Sequence, residues 1–400
     1  MKIKLLHIDD LKEAEKEIKM IGSHPGGVSR MAPKAVFRAV KLFDLKPSFA
    51  NIIKQGMLSI GGDASISKGC VECSVESTDV LMIGTIKHFK LLRQNMQSQN
   101  LSLIELSEKV WEVVYNSSKS LEITWKCRSK TFDLTRKTLI MGILNLTPDS
   151  FSDGGLYYND LDKVLFRAEE MIKDGADIID IGGESSRPGA EPVDAEEELN
   201  RILPALEKIK LNLGATVSID TYKSYVAEEC LRKDADIIND ISALQFSSDM
   251  AGVVKAHDAG VVLMHMQKNP KEMQNNPQYL DVIADIGEFL CERIKFCEQA
   301  KIDLDRIAID PGIGFGKTAE NNLQIIKNLK SFSYIRCPIL VGPSRKSFIG
   351  EILNLPVNER DEGTAASVCA SIMNGAKIIR VHDVKTASRI AKMTDAIINS

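Results

Sequence analysis

The chain predicts a (β/α)8 barrel of the α/β class, preceded by a smaller α/β or α+β N-terminal domain. Its 400 residues exceed one average domain. Eight apolar runs of β type lie between residues 139 and 383, with helix-patterned segments between them. Nearly every run ends on a polar or charged residue that a folded core would not choose. In a (β/α)8 barrel the eight strand ends converge on one face, and that face carries the active site.

Residues 1–118 form the first domain. Residues 3–8 predict a short strand, 10–20 a charged helix and 32–45 an amphipathic helix, with helical patterns again at 86–96 and 103–115. The polar stretch NSSKS at 116–120 marks the boundary, and 119–400 form the second domain. There LEITWKC and KTFDL flank Arg128-Ser129-Lys130, a pattern that suits a hairpin closing the bottom of the barrel.

The barrel strands follow in order. IMGILN ends on Asn145, ADIIDIGGE passes Asp180, TVSID ends on Asp220 and ADIINDI carries Asn239. GVVLMHM brings Met264 and His265, IAIDPG brings Asp310, PILVGPSRK reaches Ser344 and Lys346, and AKIIRVHD carries Arg380 and His382. Asp194 is placed to cap a helix running to Lys210, with Glu196, Glu197 and Glu198 in its first turn, and Pro204 bends it. Gly175, Gly260 and Gly375 stand where helices stop. An open doubly wound sheet would gather ligand residues at one switch point; polar termini on nearly every strand favour the closed barrel.

Composition narrows the function. With 44% hydrophobic and 26% charged residues and a net charge of -4, the chain has an ordinary globular balance without a dominant nucleic-acid footprint. No apolar run reaches the length of about 18 residues that a membrane span needs. The N-terminus turns acidic too soon for a secretory signal. Eight cysteines without regular spacing read as reduced thiols of a cytoplasmic protein. Cys70 and Cys73 form a C-x-x-C but lack the second pair of a structural zinc site.

Five segments carry chemistry. In MGILNLTPDSFSDGG (141–155), Asn145, Thr147, Asp149 and Asp153 offer hard oxygen donors suited to Mg²⁺, or equally an Asx-rich turn. In DIIDIGGESSRPGAEP (177–192), Asp180 lies in a buried strand, and Pro188 with Gly189 turns the chain so that Ser186 and Arg187 sit over the barrel mouth. Arg187 can fork onto a carboxylate substrate; taken alone it reads as a surface arginine. Asp220, Asn239 and Asp310 end three strands at matching positions, a trio suited to the N–H edge of an aminopyrimidine; for any one of them the alternative is a helix N-cap. Gly312, Gly314 and Gly316 let the chain after Asp310 pass close to a ligand. GPSRKSFIG (342–350) places Ser344, Arg345, Lys346 and Ser347 near the phosphate position of such barrels, and Arg380 and His382 share one strand face as a diphosphate clamp or as satisfied core polar groups. Alternation puts one of Met264 and His265 into the barrel; Met264 is taken as inward and His265 as structural.

At these residues the chain resembles dihydropteroate synthase. MGILNLTPDSFSDGG, GGESSRPGA, SIDT, INDI, LMHMQ, DPGIGFGK, SRKSFIG and RVHDV appear in the family's order, from about residue 121 to the C-terminus. The resemblance implies a cytoplasmic transferase of tetrahydrofolate biosynthesis and a sulfonamide target. It would join 6-hydroxymethyl-7,8-dihydropterin diphosphate to p-aminobenzoate. It implies Asp220, Asn239, Met264, Asp310, Phe315, Gly342, Lys346 and Arg380 around the pterin, and Asn145, Arg380 and His382 on the diphosphate. Asn145 and Asp153 would take Mg²⁺, and Phe151, Ser186, Arg187, Pro188, Ser344 and Ser347 would shape the aminobenzoate site. Asp180, Asp220, Lys346, Arg380 and His382 would serve catalysis. Where the family more often reads S-T-R-P-G, this chain has Ser186, which keeps the hydroxyl and loses a methyl. A homodimer binding small molecules, without nucleic acid or membrane, is implied as partner state. A corrinoid-dependent pterin methyltransferase barrel has no use for the clamp or the arylamine loop. A non-catalytic pterin-binding protein would not keep the loop ligands. Residues 1–118 show no nucleotide or kinase motif.

Overall fold

The computed structural model describes residues 2–72, 74–119, 122–128, 130–147, 160–185 and 191–400. They fall into two compact units, Met1–Leu121 with Ser333–Arg336, and Glu122–Phe332 with Cys337–Ser400.

In the first unit, α1 (Leu11–Met20) starts where Asp10 accepts the Glu13 N–H at 2.8 Å, and α2 (Pro25–Ala35) follows with proline in its first turn. Strand β1 (Phe37–Leu45), α3 (Pro47–Ser59), β2 (Asp63–Ile66), α4 (Gly69–Glu72), β3 (Thr78–Thr85), α5 (Ile86–Met96) and α6 (Leu101–Ser117) complete it. The antiparallel sheet runs β1-β3-β2, and Val80 and Met82 from its centre pack on Ile53, Met57, Phe89 and Leu92. The structure departs from two expectations. Residues 3–8 form no strand: Ile3 and Leu5 are exposed, so their alternation has no sheet to bury it. Residues 32–45 are not one helix. The helix ends at Ala35, and β1 then turns Val40 and Leu42 inward at period two, paired to β3 from Phe37↔Thr85 to Leu42↔Val80. Short apolar runs satisfy both periods, and the distant partner strand decides.

The second unit begins with the expected hairpin, β4 (Thr124–Cys127) and β5 (Lys130–Asp133). Trp125 is fully buried and its Nε1 donates to the Arg306 carbonyl at 3.0 Å, while the Arg128 N–H reaches the Asp258 carbonyl at 3.1 Å. Both partners precede barrel strands, so the hairpin plugs the N-terminal end of the barrel.

Eight parallel strands follow: β6 (Leu139–Asn145), β7 (Ile178–Gly182), β8 (Val217–Asp220), β9 (Ile237–Asp240), β10 (Gly260–Met264), β11 (Ile307–Asp310), β12 (Leu340–Val341) and β13 (Ile378–Val381). Their order is β11-β10-β9-β8-β7-β6-β13-β12, and the parallel bridge Ile309↔Ile339 joins the two ends into a ring. Both strand faces are covered, which is why they read as continuous Ile/Val runs. The intervening helices are α7 (Leu161–Asp174), α8 (Ala195–Leu213), α9 (Ser224–Arg232), α10 (Met250–Ala256), α11 (Val282–Gln299), α12 (Ala319–Lys327), α13 (Ser347–Leu353), α14 (Asp361–Met373) and α15 (Val384–Ile398). Asp194 caps α8 by accepting the Glu196 N–H at 2.8 Å. Gly175 and Gly375 end α7 and α14 with φ of 109° and 104°. Gly260 does not end a helix; it starts β10 against the Cys127 thiol, and Asp258 takes the left-handed turn at φ 50°. The seven described cysteines are free thiols, and Cys73 lies outside the described residues.

Candidate active site

Strand register sets the floor of the site. Asn145 pairs with Gly182, Gly182 with Asp220 and Asp220 with Asn239, which puts three polar side chains at one level inside the C-terminal rim. Asp180 and Ser218 occupy the level below. Above them a cavity opens at the barrel mouth. Asp220, Asn239, Asp310, Lys346 and Arg380 supply its polar lining, and Ile241, Met264, Ile313, Phe315 and Gly342 the remainder.

Charge inside the barrel is arranged around Arg380. Its Nε donates to Asp180 Oδ2 at 2.6 Å and its Nη2 to Asp220 Oδ2 at 2.6 Å. Asn239 Nδ2 also reaches Asp180 Oδ2, at 3.3 Å, and Asp180 Oδ1 has no hydrogen-bond partner among the described residues. Burial pushes the Asp220 carboxyl up to about 7 against the pull of Arg380, with the Asp180 charge adding to the rise. Burial likewise lifts Asp310 to about 6, although its Oδ1 accepts the Gly312 N–H at 2.7 Å. Burial works against the Arg380 charge, and the two carboxylates more than offset it.

The loop after β11 forms one wall. Gly312 has φ 72°, and a β-carbon there would lie 2.0 Å from the His265 carbonyl oxygen, so only glycine fits this crossing. Lys346 lies over the Phe315 ring at 4.1 Å. Behind the wall, buried Lys317 donates to the Phe315 carbonyl at 2.8 Å and lies 3.0 Å from His265 Nδ1. Burial pushes Lys317 down to about 7 and His265 down to about 2. His265 packs edge-on to Phe289 outside the cavity, whereas Met264 lines it.

The remaining residues singled out in the sequence are dispersed. Ser344 Oγ lies 3.0 Å from His382 Nδ1 and fixes that ring beside the main cavity; Ser344 lines a separate hollow with Asp361, Thr364 and Asp383. Asn145 sits at the rim, with no hydrogen-bond partner for its amide among the described residues. Ser347 is exposed at the start of α13 and does not line the cavity, because its position as first helical residue turns it outward. Asp180, expected to face the reacting centre, is fully buried one level below the cavity lining. Phe151, Asp153, Ser186, Arg187 and Pro188 lie outside the described residues. Sequence reasoning passed over Ile241, two positions beyond Asn239 and therefore on the same face, and Ile313 within the glycine loop. It also missed Glu184, Tyr222 and Lys223, which are bonded to one another at the ends of β7 and β8. Among the described residues no group of three or more His, Cys, Asp or Glu side chains could hold a metal.

The pterin binding enzyme family matches residues 141–382. The dihydropteroate synthase of Bacillus subtilis (strain 168) is 50% identical over 265 residues, covering 66% of this chain and 90% of that protein. A Yersinia pestis dihydropteroate synthase structure with a sulfonamide drug complex has a TM-score of 0.67 at 41% identity, over 70% of this chain and 100% of that one. A Xanthomonas albilineans dihydropteroate synthase structure with 4-aminobenzoic acid has a TM-score of 0.64 at 36% identity, over 70% of this chain and 99% of that one.

Proposed function

The chain belongs to the dihydropteroate synthases of the pterin-binding enzyme family, and on that premise we propose how the barrel mouth handles two substrates. The activity is a transfer: 6-hydroxymethyl-7,8-dihydropterin diphosphate and p-aminobenzoate give 7,8-dihydropteroate and diphosphate, a step of folate biosynthesis.

One observation carries the assignment of the pterin site. Carboxylate and amide groups of Asp220, Asn239 and Asp310 line one cavity with Met264, Phe315 and Lys346, the last lying over the Phe315 ring. Carboxylates accept the paired N–H groups of an aminopyrimidine, the Asn239 amide donates and accepts, and the apolar faces sandwich the ring. Gly342 leaves room beside Arg380.

Arg380 keeps Nη1 for the diphosphate, since Nε and Nη2 are committed to Asp180 and Asp220. Asp180 thus acts through Arg380 as a positioning residue. His382, steadied by Ser344, takes up charge on the departing group beside Asn145. By the chemistry of the donors, the Asn145 amide, which has no partner among the described residues, and the Asp153 carboxylate suit Mg²⁺, which needs only one or two protein ligands and keeps its waters. When bound, that ion supplies positive charge to the diphosphate. The C–O bond breaks early because the electron-rich dihydropterin spreads the methylene cation, so the weakly basic arylamine attacks without a general base. The residues proposed for the arylamine entrance are Phe151, Ser186, Arg187, Pro188, Ser344 and Ser347, and the Arg187 guanidinium has the chemistry to pair with the arylamine carboxylate.

Residues 1–118 are an appended α/β-type domain, and 119–400 hold the synthase. No helix among the described residues is long and apolar enough to cross a membrane. A cytoplasmic homodimer acting on small molecules completes the reading, and light scattering tests the dimer. Full-length protein given both substrates and Mg²⁺ should form dihydropteroate; inactivity with p-aminobenzoate and with every other arylamine would remove the assignment.

A further inference from the structure

Lys317 places a positive charge behind the cavity wall, and its hydrogen bonds alone do not call for one. The residue is 3% exposed. Its ammonium donates to the Phe315 carbonyl at 2.8 Å and to the His265 carbonyl at 3.3 Å, and lies 3.0 Å from His265 Nδ1. Burial keeps the His265 ring neutral, so all three acceptors are uncharged. These bonds tie the end of β10 to the loop after β11. The crossing is close, because a β-carbon on Gly312 would stand 3.3 Å from Lys317 Nζ. The Gly312 N–H is in turn the group that Asp310 Oδ1 accepts at 2.7 Å.

A neutral amide could donate to the same carbonyls without the cost of desolvating an ammonium. What a cation adds is its field at Asp310. That carboxyl faces three cations: Lys346 before α13, Lys317 on its own loop and Arg380 on β13. Lys317 faces Asp310 and, as a like charge, Lys346. Lys346 and Arg380 line the cavity, whereas Lys317 does not, so its charge is kept for the carboxylate. Burial pushes Lys317 down to about 7 and Asp310 up to about 6. The ammonium is therefore charged through the range in which the carboxyl titrates.

We infer that Lys317 is a positioning residue for the pterin, locking the Phe315 loop onto β10 and supplying, from outside the cavity, the positive charge that holds Asp310 as a carboxylate. This rests on the reading that Asp310 accepts N–H groups of the pterin. Lys317 itself touches no substrate.

The test is calorimetric titration of the full chain with 6-hydroxymethyl-7,8-dihydropterin, without its diphosphate, from about pH 5 to about pH 8.5. Lys317→Gln keeps donors for the two carbonyls and removes the charge; Lys317→Met removes both. In the wild type, affinity should fall as pH drops through about 6, where Asp310 takes up a proton. Without the nearby cation that carboxyl protonates more readily, so both variants should move the acid midpoint of binding upward by about one pH unit. Affinity of Lys317→Gln should then be about five-fold weaker than wild type near pH 6 and within about two-fold near pH 8.5. In an Asp310→Asn background, adding Lys317→Gln should leave the pH profile as it was. If Asp310→Asn weakens pterin binding while neither Lys317 variant moves the midpoint, the inference falls and the reading of Asp310 stands. Should Asp310→Asn bind the pterin as the wild type does, both fall. A lowered Tm with an unmoved midpoint would show a structural role only, and an equal shift in the Asp310→Asn background would place the effect of the charge elsewhere; either overturns the inference.

Discussion

Arg380, on β13, donates to the buried carboxylate of Asp180, on β7, at 2.6 Å across the intervening strand β6. The contact makes a fully buried acid and a largely buried base depend on each other. Removing one partner of such a pair typically costs about 3–5 kcal/mol. Asp180→Ala should lower the urea midpoint, with a loss of unfolding free energy in that range, and reduce kcat, because Arg380 loses its anchor. An unshifted midpoint would mean that Asp220 alone suffices to hold the guanidinium.

Burial raises Asp310 from its ordinary 3.8 to about 6, and Asp220 to about 7. Both native carboxyls bind protons more tightly than in the unfolded chain. Their contribution to stability therefore grows as pH falls through about 6 to 7 and levels off below about 4. Relative to Asp310→Asn, the wild type should gain thermal stability when pH drops from about 7 to about 5. Pterin affinity should move the other way, since a protonated carboxyl accepts fewer N–H bonds. Identical pH slopes of Tm for the two proteins would refute the raised Asp310 value.

Gly312→Ala places a β-carbon against the His265 carbonyl oxygen in a left-handed backbone, φ 72°. Strain of that kind costs about 1–3 kcal/mol before the clash is counted. The variant should lose at least about 2 kcal/mol in urea unfolding, and its pterin affinity should fall because Phe315 is carried on the same loop. A neutral result would show that the β10 and β11 loops separate readily.

An early C–O cleavage has a kinetic signature. In a single-turnover assay with pterin diphosphate and Mg²⁺ but no p-aminobenzoate, some diphosphate should still be released. Strict dependence on the amine would favour direct displacement.

The barrel was legible in the sequence because its buried strands are largely runs of Ile, Val and Leu, four of which carry a polar residue at the C-terminal rim, where Asn145, Asp220, Asn239 and Asp310 stand. Polar residues at fixed topological positions survive any error in element boundaries. The first domain was less legible. Val40 and Leu42 alternate toward a sheet whose partner, β3, lies some forty residues away, and no local signal distinguishes that from one face of a helix. Glu184 and Lys223 escaped notice because charges beside glycine at a strand end ordinarily face water. Their burial follows from α8, whose Glu198 turns inward to meet Lys223. Gly260 misled for a related reason: its lack of a side chain serves contact with the hairpin residue Cys127 rather than a helix end.

The most direct test of the central claim, that Asp310 and Lys346 build the pterin site, is coupled diphosphate release with p-aminobenzoate by the full-length protein and its Asp310→Ala and Lys346→Ala variants. Robust release by the wild type is expected, with kcat/KM for the pterin diphosphate lowered by at least about ten-fold in each variant, the loss of hydrogen bonds to charged groups. Wild-type release that survives both substitutions unchanged would place the pterin elsewhere and contradict the account.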